Sequence, residues 1–369
     1  MKLTKLLFVF CLIGNVTYAN DCANINGAVT KIMSQNQIAG IAIAIIHDNQ
    51  TEFCNYGYAN KITKSPITNK SIFEIASLTK TFTALLVGIA ASQNKLDLQT
   101  PIANYLPALA ANPSYTKINL QELLTHVSGL PIMFDGLLTE NSLIDSAVHM
   151  KFTTAPGTYY QYSNPAFALA GLALTRIYKA DFQSLLNNLI LNKLGMIYTS
   201  ITVSARYQNL IVTGYGRNNQ PTDFINLGVE NPAGGLKSNT SDLAKYLRLQ
   251  MSITVPIFQQ ALVIVHKNYY CLYQNGTYQQ LAWEYHPVSD LTRKFQPNAD
   301  NQNILPSHTL PTQCKTAPNG FIDKTGNFPG TTTYMGYIPN QKIGVVILAN
   351  RALQPDVVNL GRLILQQAR

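Results

Sequence analysis

The chain has 369 residues, of which 46% are hydrophobic and only 12% are charged. This length and composition allow a large buried core in one or two domains and exclude an intrinsically disordered protein. The formal net charge is +9, but the basic residues are scattered, which argues against a nucleic-acid-binding surface and is compatible with attraction of anionic substrates.

Residues 1–19 have the pattern of a signal peptide. Lys2 and Lys5 precede an apolar stretch, Leu6 to Ile13, that is too short to span a bilayer. Thr17 to Ala19 then supply small residues at a cleavage point. We therefore predict an exported protein whose mature chain follows this segment and carries no membrane anchor.

Five cysteines are present, and Cys11 lies within the apolar part of the signal. Lipid attachment at Cys11 is the less favoured alternative, because this residue precedes the small-residue cleavage point. The even number that remains permits two disulfides in an oxidising compartment. Of the three possible pairings we favour Cys22–Cys54 and Cys271–Cys314, because each joins neighbours in sequence.

The mature chain opens with a predicted helix followed by two predicted strands. Ile25, Val29 and Ile32 recur at helical spacing, and the helical segment ends at a glycine. Beyond it, "IAIAIIHD" and "EFCNYGYAN" read as strands joined by a turn.

The middle of the chain is predicted to be mostly helical. Its apolar segments have helical spacing, and glycine and proline residues separate them. These segments are "FTALLVGIAAS", "LQELLTH", "PAFALAGLALTRIYK", "DFQSLLNNLILNKLG" and "TSDLAKYLRLQM".

The C-terminal region mirrors the N-terminal one. Three segments, "FIDKTG", "TTTYMGYIP" and "IGVVILAN", read as strands, and "PDVVNLGRLILQQAR" reads as a closing helix.

These elements predict an α/β fold of the α+β type within one domain, residues 20–369. An antiparallel sheet of five or more strands would form from about 20–76 and 315–369, flanked by the N- and C-terminal helices. The mostly helical part would span about 77–314. A junction between two such parts is a favoured place for a ligand.

Three Ser-x-x-Lys pairs occur, and one of them has unusual surroundings. Ser92–Lys95 and Ser114–Lys117 lie in polar stretches, where a lysine is simply solvated. Ser77–Lys80 opens an apolar helix, where burial of an unpaired ammonium is costly and favours loss of its proton. Because positions three apart share a helix face, Lys80 is a candidate general base for Ser77. The alternative is that Lys80 buries only its stem and reaches solvent.

Two further short motifs lie at the ends of predicted elements. Tyr162–Asn164 follows a turn and runs into a helix, with Pro165 suited to its first position. Lys324–Gly326, the single Lys-Thr-Gly, ends a strand, where the glycine lets a ligand approach the backbone closely. Each motif alone also fits a plain structural role, a surface turn tyrosine or a solvated edge-strand lysine.

Together, in this order, the three motifs resemble the serine β-lactamase and penicillin-binding-protein superfamily, and most closely class C β-lactamases. The resemblance continues through "LLTHVSGLP", "PGTYYQYSN", "GVENPAGGLKSNTSDLAKYL" and "LAWEYHP", and covers most of the mature chain. The Ser-Asp-Asn triplet of class A enzymes and the Gly-x-Ser-x-Gly elbow of α/β-hydrolases do not occur in the sequence.

The resemblance implies an acyl-enzyme mechanism. Ser77 would attack an amide carbonyl with the help of Lys80, and Tyr162 would protonate the leaving nitrogen and then activate water. Binding of the substrate and of the oxyanion is implied for Asn164, Lys324, Thr325, Gly326 and Asn327. Neither a metal nor a cofactor is implied, and the six histidines lack HExxH and HxH spacing. Of these, His126 in "LLTHVSG" is interpreted as structural.

Two residues and two segments depart from the class C pattern. Ala76 precedes the nucleophile where glycine is usual, and Met133 replaces a common glutamine. The run "NFPG" after Lys-Thr-Gly is bulkier than usual and is expected to narrow the cleft. After "LANR", the tail "ALQPDV" lacks the Asn and Arg that assist carboxylate binding in class C enzymes. These changes bear on substrate range more than on the serine chemistry.

The function implied is hydrolysis of the β-lactam ring of penicillins and cephalosporins through an acyl-enzyme on Ser77, by a periplasmic monomer. The alternative within the superfamily is a D-alanyl-D-alanine carboxypeptidase, a D-aminopeptidase or an esterase, and the rate of deacylation separates a β-lactamase from a penicillin target. A third hypothesis is a catalytically silent cell-wall-binding protein, which the intact motif set disfavours.

Overall fold

The structure, a computed structural model, describes residues 20–136, 139–252, 256–295, 307–315, 318–352 and 354–368. The predicted signal peptide and Cys11 lie outside the described residues. Within those ranges the chain forms fifteen strands and twelve α-helices.

One large antiparallel sheet dominates the fold. Its nine strands are β1 (Gly40–His47), β2 (Gln50–Asn60), β3 (Ser65–Pro66), β9 (Tyr270–Tyr273), β10 (Thr277–Gln279), β11 (Glu284–Pro287), β13 (Gly320–Phe328), β14 (Thr331–Ile338) and β15 (Ile343–Ala349). Six short strands pair two by two elsewhere: β4 (Phe73–Glu74) with β8 (Lys237–Ser238), β5 (Tyr159–Tyr160) with β12 (His308–Thr309), and β6 (Gly214–Tyr215) with β7 (Pro221–Thr222).

The strand order confirms the predicted sheet and extends it. Across the sheet the order is β3, β2, β1, β15, β14, β13, β11, β10, β9. The five strands predicted from the two chain ends form its centre and one side. Strands β9, β10 and β11 come from the segment predicted to be mostly helical, and each has only three or four residues. Segments this short carry no readable alternation of apolar and polar residues, so no sequence pattern indicated these strands.

The two ends of the chain meet in the middle of the sheet. Strand β1 pairs with β15 so that Ile41 lies opposite Ala349 and His47 opposite Ile343. Alternate residues of a strand face opposite sides of a sheet. Here both sides are buried: Ile41, Ile43 and Ile45 join one core cluster, whereas their neighbours in β1 join the other. This explains the uninterrupted apolar run in the sequence.

Helices cover both faces of the sheet. They are α1 (Asp21–Asn36), α2 (Thr79–Ser92), α3 (Ile102–Tyr105), α4 (Leu120–Leu124), α5 (Glu140–His149), α6 (Asn164–Tyr178), α7 (Phe182–Leu186), α8 (Asn192–Leu194), α9 (Asn231–Gly234), α10 (Thr240–Met251), α11 (Pro256–Val265) and α12 (Gln354–Gln367). As predicted, the terminal helices α1 and α12 pack together on one face, in the smaller core cluster. The remaining helices and the larger cluster lie on the other face.

Helix α2 is the central helix of the larger cluster. Every residue from Thr79 to Ala90 is buried, so the helix has no solvent-facing side. Gly88 allows α11 to pack closely, because a Cβ at this position would lie 2.9 Å from the carbonyl oxygen of Ala261. A helix buried all round is a rigid support for the residues at its N-terminal end.

Both predicted disulfides form. Cys22–Cys54 joins α1 to β2, with Cα atoms 5.4 Å apart. Cys271–Cys314 joins β9 to the segment before β13, with Cα atoms 6.0 Å apart. Each bond therefore fixes a peripheral segment to the large sheet.

No single helix among the described residues is long and apolar enough to cross a membrane. Helices α10 and α11 reach the required length and composition only as a pair, bent by 78°.

Candidate active site

Ser77 lies where a tight turn enters α2. The chain leaves β4, forms a 3-10 turn at Ala76–Leu78 and continues directly into the helix. Ala76 has φ of 46°, in the left-handed region that a residue with a Cβ rarely adopts. In the stretch 71–80 Ser77 is the one residue that is partly exposed, so the turn presents this hydroxyl at the surface of a buried wall.

Lys80 is fully buried and makes three hydrogen bonds. Its Nζ lies 3.1 Å from Ser77 Oγ, and it donates to Asn164 Oδ1 at 2.7 Å and to the Ala233 carbonyl at 2.7 Å. Burial lowers the pKa of Lys80, and the nearby charge of Lys324 lowers it further against the opposing effect of Tyr162. Lys80 therefore meets the two requirements for a base next to Ser77, contact and a depressed pKa.

Tyr162 lies between two lysines. It is 5% exposed, and its ring centroid is 4.9 Å from Lys80 Nζ and 5.0 Å from Lys324 Nζ. Burial raises the pKa of Tyr162, but the charges of Lys324 and Lys80 and the hydrogen bonds from Ser77 and Lys80 outweigh that effect, so the pKa is lowered. The site thus favours a phenolate next to the candidate nucleophile.

Helix α6 positions Asn164 opposite Lys80. The side chain of Ser163 caps the helix by accepting the backbone N–H of Ala166 at 3.1 Å, and Pro165 occupies the first turn, as the sequence predicted. The N–H of Asn164 donates to the Ile132 carbonyl at 3.0 Å. The segment that carries both Tyr162 and Asn164 is therefore held at its end by helix capping.

Strand β13 brings Lys-Thr-Gly against the turn that carries Ser77. Lys324 is 3% exposed and points its ammonium towards Tyr162. A Cβ on Gly326 would lie 2.6 Å from the Ile75 carbonyl oxygen and 3.0 Å from the Ser77 nitrogen. Only glycine permits this approach of strand to turn.

The end of β13 forms an edge of the sheet beside Ser77. Pairing with β11 runs from Gly320 to Asp323, and Lys324 to Phe328 continue along β14 alone. Thr325 and Asn327 on this edge are partly exposed, and Asn327 Oδ1 accepts the hydroxyl of Thr332 at 3.1 Å. An edge strand offers backbone groups that an extended amide substrate can bind.

The residues that depart from the class C pattern lie around the cleft. A Cβ on Gly234 of α9 would be 3.1 Å from the Phe328 ring and 3.1 Å from the Leu227 side chain, so Phe328 of "NFPG" packs over α9. Met133 is 57% exposed. Neither feature interrupts the contacts of Lys80 with Ser77 and Tyr162.

The structure thus brings all eight sequence-predicted site residues to one place, while the other two Ser-x-x-Lys pairs lie elsewhere. Lys95 and Lys117 are exposed, as their polar surroundings indicated. Sequence reasoning missed two contacts. The Ala233 carbonyl that holds Lys80 is a backbone group, and no residue type could have marked it. His126 stacks on Tyr162, but a lone histidine in an apolar stretch gives no catalytic signal.

A cluster behind β13 has the composition of a metal site but is balanced by its own charges. Glu284, His286 and Asp323 offer ligand atoms within 4.8 Å of one another. Arg362 from α12 already contacts Asp323 at 3.2 Å. Burial lowers the pKa of His286, but Asp323 and Glu284 raise it more strongly, to about 9, so the imidazole is cationic at neutral pH. Two carboxylates therefore face two cations in an ion network.

A separate cavity of about 1100 Å³ lies beside the site. Leu172 and Thr175 of α6 and Pro232 of α9 line it, and none of the eight predicted site residues does. Helix α9 thus has a cavity next to Pro232, while the carbonyl of the following residue, Ala233, binds Lys80.

Comparison with known sequences agrees with this geometry. The Beta-lactamase family model matches residues 25–369. A β-lactamase from Pseudomonas fluorescens is 34% identical over 335 residues, which cover 89% of this chain and 92% of that protein. A β-lactamase from Providencia stuartii is 31% identical over 335 residues, covering 89% and 86%.

Solved structures with the same fold carry two kinds of name. A class C β-lactamase superposes with a TM-score of 0.84 at 27% identity, covering 95% of this chain and 100% of that one. A β-lactamase/D-alanine carboxypeptidase from Pseudomonas syringae gives a TM-score of 0.85 at 28% identity, with the same coverage. A D-alanine carboxypeptidase from Burkholderia cenocepacia gives 0.83 at 28%, again covering 95% and 100%.

Proposed function

The chain belongs to the β-lactamase family, and on that premise we propose that it is a serine hydrolase that opens the β-lactam ring of penicillins and cephalosporins through an acyl-enzyme on Ser77. The observation that carries this proposal is the contact of Ser77 with a buried lysine of lowered pKa, next to a tyrosine held between two ammonium groups.

Acylation uses the nucleophile and both bases. Ser77 Oγ attacks the carbonyl carbon of the ring while its proton passes to the Lys80–Tyr162 pair. The negative oxygen that forms is held by the backbone N–H groups of Ser77 and Asn327. The C–N bond of the ring then breaks, and the proton moves from Tyr162 to the leaving nitrogen. The product is an ester on Ser77 with the ring opened.

Deacylation repeats these steps with water. Tyr162 as phenolate takes a proton from a water molecule, whose oxygen attacks the ester carbonyl. Breakage of the ester returns the proton to Ser77 Oγ and releases an acid. The net reaction adds one water across the amide. Both steps need a base, and the lowered pKa of Tyr162 favours the phenolate that serves as one.

Substrate binding falls to the residues around the nucleophile. Asn164 presents its amide both to Lys80 and to the cleft, where it can bind the amide side chain of a substrate. Lys324 supplies positive charge and Thr325 a hydroxyl for the substrate carboxylate. Gly326 keeps the strand within reach of Ser77, so that the edge of β13 lies along the substrate.

A D-alanine carboxypeptidase activity is the second candidate. It is favoured by the structural neighbours that carry that name, and it keeps Ser77 as the nucleophile. In that reaction Ser77 would form its acyl-enzyme with a D-amino peptide. β-Lactams would also acylate Ser77, but that acyl-enzyme would be hydrolysed slowly.

We place the mature protein in the periplasm as a monomer without a membrane anchor. The basic start, short apolar stretch and small-residue cleavage point of residues 1–19 support export. The two disulfides support an oxidising compartment. Detection of the processed chain in a periplasmic extract, and its mass in solution, test this assignment; a chain that stays unprocessed in the cytoplasm contradicts it.

Steady-state hydrolysis with matched serine variants tests the proposed function. The mature wild-type chain is expected to turn over a chromogenic cephalosporin many times, whereas Ser77→Ala should lose at least about 1000-fold in kcat/KM. Ser92→Ala, in another Ser-x-x-Lys pair, serves as the control and should keep wild-type rates. Equal activity of wild type and Ser77→Ala would refute the assignment of the nucleophile.

A further inference from the structure

His126 fixes the backbone on both sides of Tyr162. Its carbonyl accepts the N–H of Gln161 at 2.8 Å, and its Nδ1 accepts the N–H of Ser163 at 3.1 Å. Between these two bonds, the imidazole stacks on the Tyr162 ring, with centroids 4.1 Å apart and planes inclined by 25°. His126 therefore contacts three consecutive residues, 161–163, and the central one, Tyr162, is the candidate base.

The backbone of His126 has an uncommon conformation that makes these contacts possible. Its φ is 61°, in the left-handed region that residues other than glycine seldom adopt. Such outliers persist where the surroundings hold them, and they concentrate at functional sites. With this φ, the ring and the carbonyl of His126 both reach the segment that carries Tyr162.

The surroundings keep the imidazole uncharged. His126 is 1% exposed. Burial lowers the pKa of His126 well below its usual value, and the positive charges of Lys324 and Lys80 lower it further. Because Nδ1 accepts a hydrogen bond, the proton is on Nε2, which has no hydrogen-bond partner among the described residues. The stacked ring thus excludes water without adding a third positive charge.

The other groups that face Tyr162 show why the position of its ring determines how strongly the phenolate is favoured. Lys80 approaches from α2 and Lys324 from β13, and Ser77 bonds to the phenol. Tyr160, a neutral neighbour on β5, contacts the imidazole edge to face at 6.0 Å. The carboxylate of Glu230 interacts electrostatically with the ammonium group of Lys80. A phenolate is favoured only while the ring stays close to both ammonium groups, because their effect falls with distance.

We propose that His126 is a positioning residue that holds the Tyr162 ring between Lys80 and Lys324 and keeps water from its inner face. This inference rests on the proposed function, in which Tyr162 is the base. Without the imidazole the Tyr162 ring gains freedom, water reaches its inner face, and the two lysines stabilise the phenolate less.

The variant His126→Asn isolates the ring. Asparagine adopts positive φ readily, and its side-chain oxygen can still accept the Ser163 N–H. The acid limb of the kcat/KM profile for a chromogenic cephalosporin should move up by about one pH unit, so that kcat/KM falls about tenfold at pH values on that limb and recovers as pH rises.

A second buried histidine provides the control. His266 contacts Gln250 and Gln280 and lies away from Tyr162, so His266→Asn removes a buried imidazole without touching the site. This variant is expected to keep the wild-type acid limb even if it is less stable. His126→Phe, which keeps a flat ring but lacks the acceptor, serves as the second variant and should shift the limb less than His126→Asn.

A direct titration separates this inference from the proposed function. The ultraviolet absorbance of tyrosinate, taken as the difference between each chain and its Tyr162→Phe counterpart, reports the pKa of Tyr162 without any substrate. The inference predicts a higher Tyr162 pKa in His126→Asn than in wild type. An unchanged Tyr162 pKa, or a loss of activity equal at every pH, would overturn it. Failure of wild type to hydrolyse any β-lactam would refute the proposed function and leave this titration decisive for His126.

Discussion

Lys80 is cationic when protonated and Tyr162 is anionic when deprotonated, yet the same buried site lowers the pKa of both. Burial penalises charged forms, so it lowers the pKa of a lysine and raises that of a tyrosine. For Tyr162 the two ammonium groups reverse the effect of burial. The two groups are coupled, because a proton lost from Lys80 removes part of the charge that stabilises the phenolate. The basic function therefore belongs to the pair.

Replacement of Tyr162 by phenylalanine tests this pairing. Tyr162→Phe keeps the ring between the lysines but removes the group that takes and returns the proton. We expect kcat to fall by about 100- to 10,000-fold with a small change in KM, measured by steady-state hydrolysis across pH. Tyr58→Phe, at an exposed Tyr-x-Asn that is 45% exposed, is the control. A Tyr162→Phe variant with near wild-type kcat would contradict a role for the phenol.

At the residue scale, sequence reasoning succeeded where burial could be inferred. An apolar run around Lys80 separated it from Lys95 and Lys117, and the structure places the first inside and the other two in solvent. It could not find the Ala233 carbonyl, because every residue has a carbonyl. It could not find the role of His126, because that depends on a φ of 61° and on a ring from a distant segment.

Among the elements, β13 carries most of the site. Its pairing with β11 ends at Asp323, and from Lys324 onwards it forms an edge next to the turn of Ser77. Thr333 on β14 donates to the Ile75 carbonyl at 3.0 Å, which ties the sheet to that turn. The distance between nucleophile and edge is thus set by a glycine on one strand and a hydroxyl on the next.

Substitution of Gly326 by alanine tests the importance of this distance. The added Cβ would lie 2.6 Å from the Ile75 oxygen, so the strand or the turn has to move. A displacement of about 1 Å at an active site lowers the catalytic rate about 100-fold, and we expect a loss of that order in kcat/KM. Gly27→Ala is the matched control, because its Cβ meets nothing within 4 Å, and its rates should be unchanged. Full activity of Gly326→Ala would contradict the close approach.

Elements were predictable in proportion to their length. The buried helices α2 and α6 and the strands β1 and β15 have clear patterns and lie where the sequence places them. Strands β9, β10 and β11 were not predicted, because three or four residues carry no periodicity. They are added to the sheet one after another, β11 on β13, β10 on β11 and β9 on β10, which is a tertiary interaction.

For the whole molecule, a buried ion network joins the sheet to the C-terminal helix. Arg362 on α12 and His286 on β11 both contact Asp323 on β13, and Tyr334 on β14 donates to the same carboxylate at 3.1 Å. Asp323 is adjacent to Lys324, so the network supports the back of the strand that carries the site. Asp323 thus stabilises the fold, and the next residue, Lys324, belongs to the candidate active site.

This network makes stability fall at alkaline pH. The pKa of His286 is raised to about 9 in the folded protein, against about 6.5 for an unperturbed histidine. A histidine whose pKa is raised in the folded state stabilises that state fully below about pH 6.5. This contribution to the free energy of unfolding is lost as the pH rises through about 9. We expect a loss of up to about 3 kcal/mol in the free energy of unfolding between these values, measured by urea denaturation at each pH.

His286→Gln supplies the comparison for that experiment. This variant has no titrating group at position 286, so its unfolding free energy should be lower at pH 6 and should change less towards pH 9.5. Parallel pH curves for the wild type and His286→Gln would exclude the network as the source of the alkaline loss.

The molecule as a whole was predictable because its two ends are strongly patterned and its middle holds the motifs. The terminal strands and helices indicated one antiparallel sheet built from both chain ends, and within that sheet β1 pairs with β15. What the sequence did not indicate is the ion network, because Asp323, His286 and Arg362 are far apart along the chain and each is ordinary alone.

The intact mass of the mature chain during reaction with a chromogenic cephalosporin, recorded together with ring opening, distinguishes a β-lactamase from a penicillin target. We expect many turnovers, with a transient adduct on Ser77 that disappears as substrate is consumed and does not form in Ser77→Ala. A stable adduct with little turnover would contradict a β-lactamase and favour the carboxypeptidase. Turnover without any dependence on Ser77 would contradict the acyl-enzyme mechanism itself.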